Sequence, residues 1–182
     1  MRKFFAMILG VVVCVSVTIT AMAEQTNEYT VGSIVTLGSY EQDNDLSNGK
    51  EPVDWIVLEA DGEKAFLISE YCLDAHAYNK DFVKMTWERC TLRTWLNNEF
   101  MNELFTAEEQ AKILSTDVVN DNNPDYGTYG GNDTVDKIYL LSYDEVFRYF
   151  PTDKSRQAKP TAYAIANGAY VNDTTGNTWW WL

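Results

Sequence analysis

The chain has one histidine in 182 residues, His76. That scarcity excludes a His-rich metal centre, because such sites gather several imidazoles on one ion. A lone histidine can act as a general base near neutral pH, but its surroundings, "LDAHAYN", signpost no serine or cysteine nucleophile. No catalytic residue is therefore assigned, and a structural role is the simpler reading of His76. Basic side chains are scarce as well: 14 Lys and Arg stand against 27 Asp and Glu, a formal charge of −13 at pH 7. Such a balance repels nucleic acid and anionic lipid surfaces. Neutral glycans, peptides and cations stay open as partners, and solubility alone is a sufficient reason for the charge. Cysteines number three, and Cys72 and Cys90 lack the two-residue spacing of a redox or zinc motif. Internal repeats and low-complexity linkers are missing.

The longest apolar run lies at the start. Arg2 and Lys3 precede an almost unbroken apolar stretch from Phe4 to Thr20, and Ala21-Met22-Ala23 supplies a small-x-small cleavage pattern. This is the signature of a secretory signal peptide over residues 1–23; the run is short for a membrane span. Cleavage leaves residues 24–182 as a single domain with enough chain for a core. The expected location is extracellular or at the cell surface, without membrane insertion. Cys14 leaves with the leader, and in an oxidising compartment Cys72 and Cys90 can form one disulfide, worth roughly 3 kcal/mol in the entropic account. Two buried thiols are the alternative.

Along the remaining chain, Val31 to Leu37 reads as a strand followed by a polar loop, "SYEQDNDLSNGKEP". "VDWIVLEADGEKAFLISEY" reads as two strands joined at Asp61-Gly62, a strong hairpin signal. Apolar residues on both faces of its first strand predict a central, covered position. The period then changes: Leu92, Trp95, Leu96, Phe100 and Leu104 fall on one helical stripe, with Trp95 read as core and Arg93, Asn97, Asn98 and Asn102 lying away from it. Thr106 and Glu109 form a capping box for a second helix ending near Leu114. "KIYLLS" predicts a buried strand, Ser142 and Glu145 cap a helix that stops at Pro151, and Pro160 to Gly168 brackets another. Lys154, Arg156 and Lys159 read as a solvated basic face. Strands and helices so segregated predict an α+β fold with an antiparallel or mixed sheet and short helices.

Ser115 to Asp136 has no period, and a loop of that length in a compact domain is functional or disordered. Its oxygen-rich side chains make it the better place for calcium, with Asp121, Asp125 and Asp133 as metal ligands. Asn, Asp and Gly are also simply what turns use. "DNDLSNG" at 43–49 superficially resembles an EF-hand loop, but its glycine falls one position late and no helices flank it. Tyr126 and Tyr129 offer flat rings to a sugar face, with Asn122, Asn123 and Asn132 beside them as polar ligand contacts.

"LGSYEQ", "PVDWIVLE", "AFLISEYCLDAHAYN", "TWERCTLRTWLNNEF", "KIYLLSYDEVFRYF", "AKPTAYAIANGAY" and "NTWWWL", in this order, resemble the bacterial family known as domain of unknown function 6273. The resemblance implies that the tryptophan stretch is followed by a turn and further strands, so a chain stopping at Leu182 is expected to lack part of its domain. "TWWWL" is then an interior strand, with Trp179 and Trp181 on one face and Trp180 on the other. In outline the family is similar to C-type-lectin-like domains, including the branch shared with formylglycine-generating enzymes. That branch's catalytic cysteine pair has no match here, so an architecture is carried over and no catalytic residue. The expectation is a secreted, non-catalytic domain binding a cell-surface glycan or a protein through the 115–136 region. Its rivals are a modifying or hydrolytic enzyme completed by downstream residues, and a structural module of a larger surface protein.

Overall fold

A computed structural model describes residues 29–181, together with the backbone of Met7–Ile8 (β1) and Val12–Ser16 (β2). The leader reading covers residues 1–23 and, apart from those two stretches, lies outside the described residues. The other strands are β3 (Ile34–Tyr40), β4 (Glu51–Ala60), β5 (Lys64–Ser69), β6 (Ala75–His76), β7 (Thr116–Val118), β8 (Thr134–Asp136) and β9 (Ile138–Tyr139). Among the described residues the α-helices are, in chain order, α1 (Thr91–Trp95), α2 (Met101–Leu104), α3 (Ala107–Lys112), α4 (Tyr143–Tyr149) and α5 (Ala162–Ala166), with a 3-10 turn at Trp87–Arg89 before them. The class is as expected: α and β elements mixed, with antiparallel sheets and short helices.

One five-stranded antiparallel sheet, ordered β3-β4-β5-β2-β9, organises the domain. β4 is interior to it, and Val53, Trp55 and Val57 are fully buried on one face. The β4–β5 hairpin forms where expected: Asp61 Oδ1 accepts the backbone N–H groups of Glu63 (3.1 Å) and Lys64 (3.0 Å), and Gly62 takes φ 90°. β2 pairs with β5 on one side and β9 on the other, so part of the apolar run assigned to the leader occupies an inner sheet position. The same Val-rich stretch suits a buried strand and a leader core, which is why the sequence supports either.

The helical stripe at 92–104 packs as expected apart from Trp95, which is half-buried. Leu92, Leu96, Phe100 and Leu104 are buried in the main core, each contributing on the order of 1.5–3 kcal/mol. α1 and α2 are joined by a π-helical turn, Leu96–Phe100. At the end of α2 the chain nearly touches β3: a Cβ on Gly38, whose φ is 71°, would meet the Leu104 carbonyl oxygen at 2.7 Å and the Phe105 ring at 2.8 Å. Here β3 is bulged between Thr36 and Ser39, and the Trp55 indole takes the Leu37 carbonyl at 2.8 Å.

Both capping boxes are present, Thr106 with Glu109 on α3 and Ser142 with Glu145 on α4. α5 differs in detail, because Thr161 is its N-cap and Pro160 lies before it, in a parallel bridge with Cys72. The cysteines are not bridged. Both are free and buried, Cys90 in the main core and Cys72 in a satellite cluster with Ala75. Burial pushes the Cys72 thiol up to about 12, and Cys90 is raised by the same cause, so neither behaves as an activated thiolate. "TWWWL" forms no strand among the described residues; Thr178 makes one isolated bridge to Ala158. Trp180 and Trp181 are half-buried, their indole N–H groups donating to Arg156 O (2.9 Å) and His76 O (3.1 Å), while Trp179 is 63% exposed.

Candidate functional site

The 115–136 region is neither a free loop nor without strands. β7 and β8 pair antiparallel, Thr116 opposite Asp136 and Val118 opposite Thr134, and residues 119–133 form the excursion between them. Three residues are too few for a period to show, so the sequence conceals both strands. Buried Asp136 fastens the base, accepting from Trp87 Nε1 (3.0 Å), Thr134 Oγ1 (2.7 Å) and Arg93 Nε (2.7 Å).

Side chains of the excursion hold its own backbone. Asn120 N–H donates to Asp133 Oδ1 (2.9 Å), Asn122 Oδ1 accepts from Gly130 N (3.2 Å), and Asn123 Oδ1 accepts from the backbone of Asp125 and Tyr126 at 3.0 Å. Asn132 reaches across to Glu88 Oε2 at 2.7 Å. Gly130 is required for space, since a Cβ there would lie 2.3 Å from the carbonyl oxygens of Asn120 and Asp121. This is turn chemistry from Asn and Asp, with a single compact arrangement as its product.

Beneath the excursion lies a cavity of about 850 Å³. Residues 119–124 and 128–131 line it together with Tyr78, Met85, Trp87, Leu140, Leu141, Tyr143 and Asp144. Of the residues named from sequence, Asp121, Asn122, Asn123 and Tyr129 line it. Tyr126 does not; it is 84% exposed. Asn132, Asp125 and Asp133 are also outside the lining; burial, then the Asp125 carboxylate, raise the Tyr143 hydroxyl above its ordinary value. Asp121, Asp125 and Asp133 do not converge into a three-carboxylate group. Trp87, Tyr78 and Tyr143 were missed from sequence, since they come from remote segments and carry no local motif.

A second, smaller hollow of about 400 Å³ surrounds the lone histidine. Buried Asp74 accepts from Tyr40 Oη (2.7 Å), Asn167 Nδ2 (2.7 Å) and Ala75 N (2.7 Å), and lies 3.2 Å from His76 Nε2. Burial alone would raise the Asp74 carboxyl, but these donors, His76 first, outweigh it and hold the group below the usual carboxylate range. Tyr40 is pushed far upward by burial and by the Asp74 charge. Trp95, expected to be plain core, is half-buried and stacks on the His76 ring, centroids 3.7 Å apart at 28°. The lining offers acid–base groups, Asp74, His76, Glu103 and two tyrosines, but no serine, threonine or cysteine nucleophile.

The sequence pattern of the family described as Domain of unknown function (DUF6273) matches residues 62–182. "LGSYEQ" and "PVDWIVLE" precede that span. No curated protein and no solved structure matches the chain.

Proposed function

The chain belongs to the DUF6273 family, and from that premise we propose that it is a secreted or cell-surface domain that binds a neutral glycan or a protein segment in the cavity beneath residues 119–133. The observation that carries this reading is the cavity itself, walled by an excursion whose conformation is fixed by its own side chains. Its lining combines flat rings, Tyr129, Tyr143 and Trp87, with Asn122 and Asn123. Rings suit a pyranose face or an apolar side chain, and amides suit hydroxyls or peptide groups. A net charge of −13 favours neutral ligands over anionic ones. Antiparallel sheets, short helices and a long excursion pinned between strands are consistent with the C-type-lectin-like architecture. Export rests on Arg2, Lys3, the apolar run and Ala21-Met22-Ala23, and requires β2 to leave the sheet on cleavage. Among the described residues, no helix is long and apolar enough to cross a membrane.

The test is a glycan array and a peptide-display screen with the full chain, followed by affinity measurement on the best ligand. Tyr129→Ala should weaken binding at least tenfold, and Tyr126→Ala, outside the cavity, by less than twofold. Equal effects of the two substitutions, or the lack of any ligand in both screens, would refute the proposal.

A further inference from the structure

Two carboxylates and one buried carboxyl group meet where β3 ends and β4 begins. Glu41 follows the last residue of β3, Asp43 lies in the connecting loop, and Glu51 opens β4. One carboxylate oxygen from each lies within 4.8 Å of the others. Glu41 is 5% exposed, and its Oε1 is buried without a hydrogen-bond partner. A buried carboxylate oxygen left unpaired is costly, and two further acidic groups beside it add repulsion.

The hydrogen bonds around the other two carboxylates do not reach Glu41 Oε1. Asp43 Oδ1 accepts Asp45 N–H at 2.7 Å and its Oδ2 accepts Asn48 Nδ2 at 2.8 Å. Glu51 Oε2 accepts Gln42 N–H at 2.7 Å and Asp43 N–H at 3.4 Å. These bonds fix two of the three groups in place. None of the three forms an ion pair among the described residues, and Lys50, next to Glu51 in sequence, extends to Glu103 instead. The site therefore wants a positive species, either a proton or a cation.

We propose that Glu41, Asp43 and Glu51 bind one divalent cation, calcium by preference, at the junction of β3 and β4. Three oxygen donors from the β3–β4 junction, one of them on an exposed residue, leave the remaining positions to water. Calcium accepts such irregular shells of six to eight oxygens, whereas magnesium demands a near-ideal octahedron. The sequence places "DNDLSNG" here but conceals the site, because two of its ligands, Glu41 and Glu51, lie outside that stretch and only the strand pairing brings them to Asp43. The site is distinct from the cavity beneath residues 119–133, so the two proposals stand or fall separately.

The test is calorimetric titration of the chelator-treated full chain with calcium chloride, together with melting curves in calcium, in magnesium and in chelator. Expected are one calcium per chain and a calcium-specific rise in Tm, roughly 5–10 °C at a hundredfold excess over Kd. Glu41→Gln should raise Tm in chelator, since it removes the uncompensated charge, and should weaken calcium binding at least tenfold. If that variant does not fold, Asp43→Asn supplies the same comparison on the exposed side of the site. Asp121→Asn, in the other acidic region, should leave the titration unchanged. The proposal is overturned if calcium gives no heat and no shift, if Glu41→Gln binds it as well as the parent, or if calcium and magnesium act alike in both. A Glu41→Gln variant that is stabilised while the parent ignores calcium would show that a proton holds the site.

Discussion

Asp74 shows how one buried carboxylate can organise a neighbourhood. Tyr40 from β3, Asn167 beyond α5 and His76 from β6 all converge on it. Its folded pKa lies below the ordinary value, so the sign of its pH effect is fixed. The stability it contributes is complete above the unfolded aspartate pKa, about 3.9, and is lost as pH falls through the lower folded value. Asp74→Asn should therefore melt several degrees lower at pH 7, through loss of charge-assisted hydrogen bonds worth about 1.5–3 kcal/mol each. It should also show a flatter decline of Tm between about pH 5 and pH 2 than the parent. Parallel melting curves across that range would contradict this account. The sequence put Asp74 beside His76 but could not show the third and fourth partners, which arrive from 34 and 93 residues away.

Elements were legible where their chemistry is local. The Asp61-Gly62 turn and both capping boxes need only neighbours in sequence, and each formed as read. What local pattern could not reveal is a polar residue committed to a distant strand. Asn97 lies off the apolar stripe and looks solvated, yet its Oδ1 accepts the N–H groups of Lys137 (2.9 Å) and Ile138 (3.1 Å), and its Nδ2 donates to Ile138 O (2.8 Å). The side chain thus replaces a strand partner for β9, at the π-helical turn that interrupts the helix. The side chain of Asn98, its neighbour, donates to Thr94 O one turn earlier. Asn97→Ala should cost about 2–4 kcal/mol by stranding those backbone groups, and Asn98→Ala less than about 0.5 kcal/mol. Chemical denaturation of the two variants beside the parent measures the difference; similar midpoints would show that β9 is held by other means. The cavity was half legible for the same reason: residues 121–123 and 129 announce themselves as a long polar stretch, while Trp87 and Tyr78 join them only through tertiary packing.

For the molecule as a whole, the decisive question is the fate of Val12–Ser16. In the folded chain this strand pairs with β5 through five residues and with β9 through two, and among the described residues β9 has no other sheet partner. Export with cleavage after Ala23 would withdraw it, leaving unpaired N–H and C=O groups on both sides of a gap, an arrangement that invites association with any extended segment. Residues 24–182 alone should therefore melt at lower temperature than residues 1–182, bind a hydrophobic dye and self-associate with rising concentration. A peptide of residues 10–18 added in excess should restore the higher melting temperature, because it returns the missing ladder, and a scrambled version should not. A 24–182 chain that melts as cooperatively as the full sequence and ignores the peptide would mean that β5 and β9 close without a strand between them. In that case the segment is free to serve as a leader at no structural cost. N-terminal sequencing of the chain recovered from cells and from the medium then identifies whether residues 12–16 are retained.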